Sequence, residues 1–255
     1  TEDVIATAYD SGVPGHELRS VVTMRLWSAR ASEGINLDAF NRGDYIQAVE
    51  AKNVSENVTR VLYPDDRTEH GRELRLRQEY FFVSASLQDI VRRFLKHQGN
   101  FALFADRVAI HLNDTHPALA VPELMRLLVD EQGLEWDTAW DICKKVFSYT
   151  NHTLMQEALE TWPVELMGRL LPRHLRIIYD LNAIFLAEVH ERFPGDHDLL
   201  RRVSFLGVLP PYELERLAKN AEWEKSAAIV RNLEPWYKAF NVQPGQALYL
   251  PPAER

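Results

Sequence analysis

Two short apolar runs, each ending in a polar cluster and separated by helical sequence, constrain the fold of this chain most. Arg107–Leu112 reads as a buried strand and is followed by Asn113, Asp114, Thr115, His116 and Pro117. Val146–Thr150 reads as a second strand and is followed by Asn151 and His152. Between them, Leu124, Leu127 and Leu128 mark a helix, with Asp114 or Thr115 as its cap, Pro117 at its first position and Gly133 as its stop. Asp137–Lys145 marks another helix. Strand and helix alternating in this way call for parallel pairing with right-handed crossovers. The chain is therefore expected to be α/β, a parallel sheet flanked by helices.

The flanking sequence adds elements without repeats. Val4–Tyr9 and Val21–Ala29 read as strands, Leu37–Ala51 and Asn53–Val61 as helices, and Glu73–Lys96 as a long helix. Pro172 opens an amphipathic helix through Leu175, Ile178, Leu181, Phe185 and Val189, which Pro194-Gly195 ends. Beyond about Ser204 the character changes. Proline pairs and Pro-Gly punctuate the segment around one charged helix expected at 212–232, so residues 205–255 read as a tail of low intrinsic structure.

Composition excludes several classes of function. With 29 basic and 37 acidic residues the net charge is −8, the wrong sign for a protein that grips nucleic-acid phosphates. No apolar run reaches the roughly 18 residues that a membrane helix needs. The single cysteine, Cys143, cannot form a disulfide within the chain and suits a reducing cytoplasm. The chain starts at Thr1 without methionine or a secretory pattern, which reads as a piece of something longer. Phosphate-loop, dinucleotide, zinc-peptidase and serine-hydrolase motifs are missing.

In open parallel sheets, ligands bind beyond the carboxyl ends of the strands. If the two strands pair, Asn113, Asp114 and His116 share one edge with Asn151 and His152, a set suited to a ligand rich in hydroxyl groups. The plainer reading is that Asp114 and Thr115 only cap a helix while the histidines satisfy backbone groups. His111, Asp114, His116 and His152 could also hold zinc, the basis of a metal-dependent hydrolase reading, although His111, in the strand beside Leu112, and His116 need not face the same way. The loop Tyr63–Gly71, with Asp65, Asp66 and Glu69, reads as a flap or as a solvated turn. Arg92-Arg93 reads as a phosphate site or as a solvated face.

Six stretches are long and specific enough to carry a resemblance: AYDSGVPG (8–15), TMRLWSARA (23–31), FNRGDYIQAVEAKNVSENVTRVLYP (40–64), GRELRLRQEYFFVSASLQDIVRRF (71–94), VAIHLNDTHPALAVPELMRLLVD (108–130) and YTNHTLMQEALETWPVELMGRLLPRHLRIIYDLN (149–182). Through them, residues 1–204 resemble the α-glucan phosphorylases. The resemblance implies part of the N-terminal half of a GT-B fold, with a Rossmann-like parallel sheet. It implies phosphorolysis of a terminal α-1,4 glucosyl unit of glycogen, starch or maltodextrin by inorganic phosphate, giving glucose 1-phosphate, in a homodimer that uses pyridoxal 5′-phosphate.

By position, the resemblance implies that His152 binds the 6-hydroxyl of the reacting sugar. Asp114, His116, Arg75, Glu157 and Ala158 would line the same pocket, and Asp66 would be the aspartate of a gate loop. Arg92 and Arg93 match a pair that binds effector phosphate in animal members, and Tyr179 and Asn182 lie on a helix carrying a surface glycan-storage site. No role attaches to His174. The pattern also differs from the family's. Asp65-Asp66-Arg67 stands where Asn-Asp-Asn is usual, Gln156 replaces a proline, and Ser11-Gly12 replaces Thr-Pro. The half bearing the cofactor lysine and the groups that hold substrate phosphate is not matched, so no catalytic residue is expected here and the isolated chain is expected to be inactive. Pro235–Arg255 faintly resembles the C-terminal end of neprilysin-like zinc peptidases, without their metal motif. A non-catalytic glucan-binding or assembly module is the alternative.

Overall fold

The computed structural model describes residues 3–16, 21–152 and 159–206, together with the backbone of 229–231. The chain divides into two units, Thr1–Asp89 and Ile90–Arg255.

In the first unit, β1 (Val4–Pro14) and β2 (Val21–Ala31) pair antiparallel, from Val4 opposite Ala31 to Pro14 opposite Val21. Two helices follow, α1 (Leu37–Asn41) and α2 (Tyr45–Asn57), and then the long α3 (Glu69–His97), whose residues from Ile90 on belong to the second unit. The break between the first two helices lies at Gly43 rather than near Lys52, where two sequence-expected helices met. Gly43 takes φ +84°, a left-handed conformation that an L residue adopts only at a cost, and Asp44 then caps α2 by accepting from the Gln47 N–H at 3.1 Å. A small core joins Ala29, Val58 and Phe81, with Val4, Ala6, Trp27 and Phe82 against it. Polar ties flank that core: Trp27 Nε1 donates to Ser86 Oγ at 3.0 Å, and the Ala29 N–H donates to Thr59 Oγ1 at 2.9 Å.

The second unit holds the expected crossover. After α4 (Phe104–Arg107) comes β3 (Ile110–Asn113), and after α6 (Trp136–Val146) comes β4 (Phe147–Thr150). The two strands pair parallel, Ile110 with Phe147 through Asn113 with Thr150. Between them run α5 (Ala120–Arg126) and a π-helical turn over Leu127–Glu131, which ends before Gly133 at φ +70°. Arg107 belongs to α4, so the strand is shorter than its apolar run suggests. Burial alternates along it: Leu112 is buried, while His111 and Asn113 are exposed. Ser148 and Thr150 on β4 are exposed like His111 and Asn113, so one face of the pair is open among the described residues and the strand is less buried than its apolar run suggests.

The core of this unit is built from Leu124, Met125, Leu127, Leu128, Met167, Ile177 and Ile178, all essentially inaccessible. Its later elements are β5 (Thr161–Pro163), α7 (Val164–Leu170), α8 (Pro172–Arg192) and α9 (His197–Val203). Pro172 starts α8 and the chain turns at Gly195, φ +82°, as read from the sequence. Of the tail, 207–228 and 232–255 lie outside the described residues. Ile229–Arg231 forms a strand, β6, antiparallel to β5, where a helix to Asn232 was expected.

Candidate functional site

Parallel pairing brings the ends of β3 and β4 to one edge, and the residues beyond them meet there. The ladder extends one step, with the Asp114 N–H donating to the Thr150 carbonyl at 2.9 Å. Asp114 itself takes φ +69°, and its Oδ1 accepts from the neighbouring Thr115 N–H at 2.7 Å. It therefore shapes the turn and does not cap a helix. α5 begins only at Ala120, and Pro117 lies in the preceding turn, which corrects the expected cap and first helical position. His116 is half-buried in the same turn.

His152, two residues beyond β4, donates from Nε2 to Asn113 Oδ1 at 2.7 Å. In the neutral ring this leaves Nδ1 as an acceptor, with the ring plane held by its partner. Asn113 thus orients His152 at the strand edge.

His111 is turned to a different task. Ser148 Oγ donates to the Ile110 carbonyl at 3.4 Å, so it accepts from His111 Nδ1 at 3.0 Å, and His111 Nε2 accepts from Thr150 Oγ1 at 2.8 Å. Both ring nitrogens are spent on neighbouring hydroxyls. Among the described residues no group of three or more His, Cys, Asp or Glu side chains could hold a metal ion, which removes the basis of the metal-hydrolase reading.

The other candidates divide between the units. Asp66 and Arg75 lie in the first. Arg75 is buried, and its Nη1 donates to Asp66 Oδ2 at 2.7 Å. Its Nε and Nη2 donate to the Pro64 carbonyl at 3.1 and 2.8 Å, and its guanidinium lies 3.9 Å from the centre of the Tyr63 ring. Arg75 thus ties the loop to α3. Asp65 is paired with Arg67 within the loop, and the hydrogen bonds from that guanidinium hold its carboxyl at about 2. Arg92 and Arg93 are exposed on α3. Tyr179 and Asn182 are buried in α8, and Asn182 Oδ1 accepts from the Phe205 N–H at 2.8 Å, so neither is presented at a surface. Glu157 and Ala158 lie outside the described residues.

The motifs gave no sign of a second buried cluster. Glu123, fully buried, accepts from His174 Nε2 at 2.6 Å and from Arg126 Nε and Nη2 at 2.7 and 3.0 Å. Burial pushes its pKa up, but the His174 and Arg126 hydrogen bonds outweigh that and hold it at about 2. Only the helical positions of Glu123 and Arg126, three apart, hinted at this pair.

Comparison with known proteins places the chain. A sequence model of carbohydrate phosphorylases matches residues 1–212. Glycogen phosphorylase of Haemophilus influenzae is 57% identical over 206 residues, 81% of this chain and 25% of that protein. Muscle glycogen phosphorylase of Mus musculus is 56% identical over 214 residues, with 81% of this chain and 25% of that protein covered. The chain spans about a quarter of the length of the curated relatives it matches. On a match over most of its residues, the chain belongs to the carbohydrate phosphorylase family.

Proposed function

We propose that this chain supplies part of the glucan pocket of an α-1,4-glucan phosphorylase, acting on glycogen, starch or maltodextrin with inorganic phosphate as the second substrate. Residues 1–204 form a section of the N-terminal, Rossmann-like half of a GT-B fold, and 205–255 follow it as a tail. The observation that carries the reading is His152, held by Asn113 at the shared edge of β3 and β4 beside Asp114, in a chain of this family. With Nε2 committed to Asn113, Nδ1 is the atom that receives a sugar hydroxyl, and Asp114 and His116 line the same edge. Glu157 and Ala158 join the pocket by family position. Arg92 and Arg93, exposed together, form a site for an effector phosphate.

Pyridoxal 5′-phosphate enters through the family alone. The described lysines do not fit it: Lys52 is half-buried on α2, and Lys96, Lys144 and Lys145 are exposed, so none is enclosed as a lysine joined to that cofactor needs to be. No step is assigned through it, and the 255 residues alone do not turn over substrate. Among the described residues no helix is long and apolar enough to cross a membrane. We place the protein in the cytoplasm, where the whole enzyme is a homodimer.

The test grafts this section into a full-length relative and changes His152→Ala. Losing one hydrogen bond to the 6-hydroxyl in an enclosed cleft costs about 1–3 kcal/mol, so kcat/KM falls about tenfold to a hundredfold. The control is His190→Ala, exposed on α8. Unchanged phosphorolysis in His152→Ala, or an equal loss in the control, defeats the reading. Glucan binding without turnover in the grafted enzyme supports the non-catalytic module instead.

A further inference from the structure

The loop that carries Asp66 is held from one side by two polar side chains of α3. Arg75 and Gln78 lie three residues apart, on one face of that helix, and both are buried, at 7% and 5% exposure. Gln78 Oε1 accepts from the Tyr63 N–H at 2.8 Å, while its Nε2 donates to the carbonyls of Val58 and Val61 at 2.7 and 2.9 Å. Arg75 takes the next stretch, donating to Pro64 and Asp66 and lying under the Tyr63 ring.

Between these two grips Tyr63 adopts φ +55°, a left-handed conformation rare for a bulky residue. Its backbone is gripped by Gln78 and its ring by Arg75, so the conformation is imposed from outside the residue. The far end is held as well. The Gly71 N–H donates to Thr68 Oγ1 at 3.0 Å, and a Cβ on Gly71 would sit 1.9 Å from the Asp65 carbonyl oxygen. Close backbone approach, permitted by glycine, seats the loop on the first turn of α3.

We propose that Arg75 and Gln78 are positioning residues, a polar template on α3 that forces Tyr63 into its left-handed turn and thereby sets where the Asp66 carboxylate stands. Its bearing on catalysis rests on the reading of Asp66 as the aspartate of a gate loop; the template does not. A planar guanidinium is required, since it spans the Pro64 carbonyl, the Asp66 carboxylate and the Tyr63 ring at once, which a lysine ammonium cannot. The carboxamide of Gln78 is equally specific, because it must donate twice and accept once.

Hydrogen–deuterium exchange on the whole 255-residue chain tests this. In Arg75→Met, backbone amides of residues 63–71 should exchange at least tenfold faster, while those of residues 80–94 in α3 keep their protection. Arg75→Lys should restore only part of the protection, because the ion pair to Asp66 survives and the fork on Pro64 does not. Gln78→Leu should free Tyr63 first. Asp66→Asn should raise exchange less than Arg75→Met and add nothing to it in the double variant. Should Arg75→Met fail to fold, Arg75→Lys and Gln78→Leu carry the test. Unchanged loop exchange, full rescue by lysine, or equal loss of protection across α3 overturns the template. The second arm measures KM for maltooligosaccharide in the grafted enzyme. A freed loop with an unchanged KM leaves the template standing and defeats the gate-loop reading of Asp66.

Discussion

At the scale of single residues, Glu123 shows how the environment decides what a side chain does. A buried carboxylate is costly, yet this one stays ionised because His174 and Arg126 both donate to it. Its folded-state pKa of about 2 lies below the ordinary 4.5, so its contribution is fully present above about pH 4.5 and is lost as the pH falls from there toward 2. A shift from 4.5 to about 2 corresponds to roughly 3 kcal/mol. We expect Glu123→Gln to melt at a lower temperature than the parent at pH 6, with the gap closing as the pH approaches 2.5. Thermal melts across that range check it, and a gap independent of pH counts against the ion pair. His174→Ala removes a partner from the same carboxylate and should cost about 3 kcal/mol. His174 carries no role in the family pattern and from sequence looks like a neutral control for His152. Its contact with Glu123 lies 51 positions away along the chain, a separation that no local pattern reveals.

At the scale of elements, glycines mark where local sequence gives way to geometry. Gly43 and Gly71 both border helices but for different reasons. Gly43 has a left-handed backbone and open space around it, so Gly43→Ala should cost about 1–2 kcal/mol of backbone strain alone. Gly71 has the Asp65 carbonyl in its way, so Gly71→Ala should cost about 2–3 kcal/mol or push the loop off α3. Urea unfolding of both variants checks the order, and a Gly43→Ala that is the more damaging refutes it.

The elements with local punctuation were legible in the sequence: α8 between Pro172 and Gly195, and β3 and β4 with their crossover, including the parallel pairing that brings His152 to Asn113. What depends on distant partners was not. Asp114 has the chemistry of a cap but was drawn into a left-handed turn by its backbone bond to Thr150, so α5 starts at Ala120. The loop at Tyr63–Gly71 looked like a flap or a solvated turn, because its ties are to Arg75 and Gln78 on the next helix. Arg75 likewise reaches back nine and eleven positions to Asp66 and Pro64, contacts that no motif announced.

At the scale of the whole molecule, the hairpin of the first unit poses a problem of solubility. On one face of it, Tyr9 lies opposite Leu26 and Val13 opposite Val22, with Ile5 and Met24 at the same period-two positions. All six are about half exposed or more, Val22 reaching 70%. Val22, Met24 and Leu26 along β2, with Val13 and Tyr9 across from them, form an apolar strip that the Thr7–Ser28 pair separates from Ile5, and such strips mark association surfaces. Fully burying one side chain of this size is worth about 1.5–3 kcal/mol, while association itself costs about 4–15 kcal/mol, so several buried together reach only the order of micromolar affinity. The chain should therefore sediment as monomer at low concentration and self-associate in the tens of micromolar, with bound ANS fluorescence falling as it does so. Val22→Lys with Leu26→Lys puts two charges on the strip, opposite Val13 and Tyr9, at positions that touch none of the core of Ala29, Val58 and Phe81. That double variant should stay monomeric at the higher concentration and bind less ANS, with its melting temperature within a few degrees of the parent's. Association that persists unchanged in the double variant would place the sticky surface elsewhere; the candidate is then the α1–α2 region, where Leu37 and Ile46 are 67% and 83% exposed.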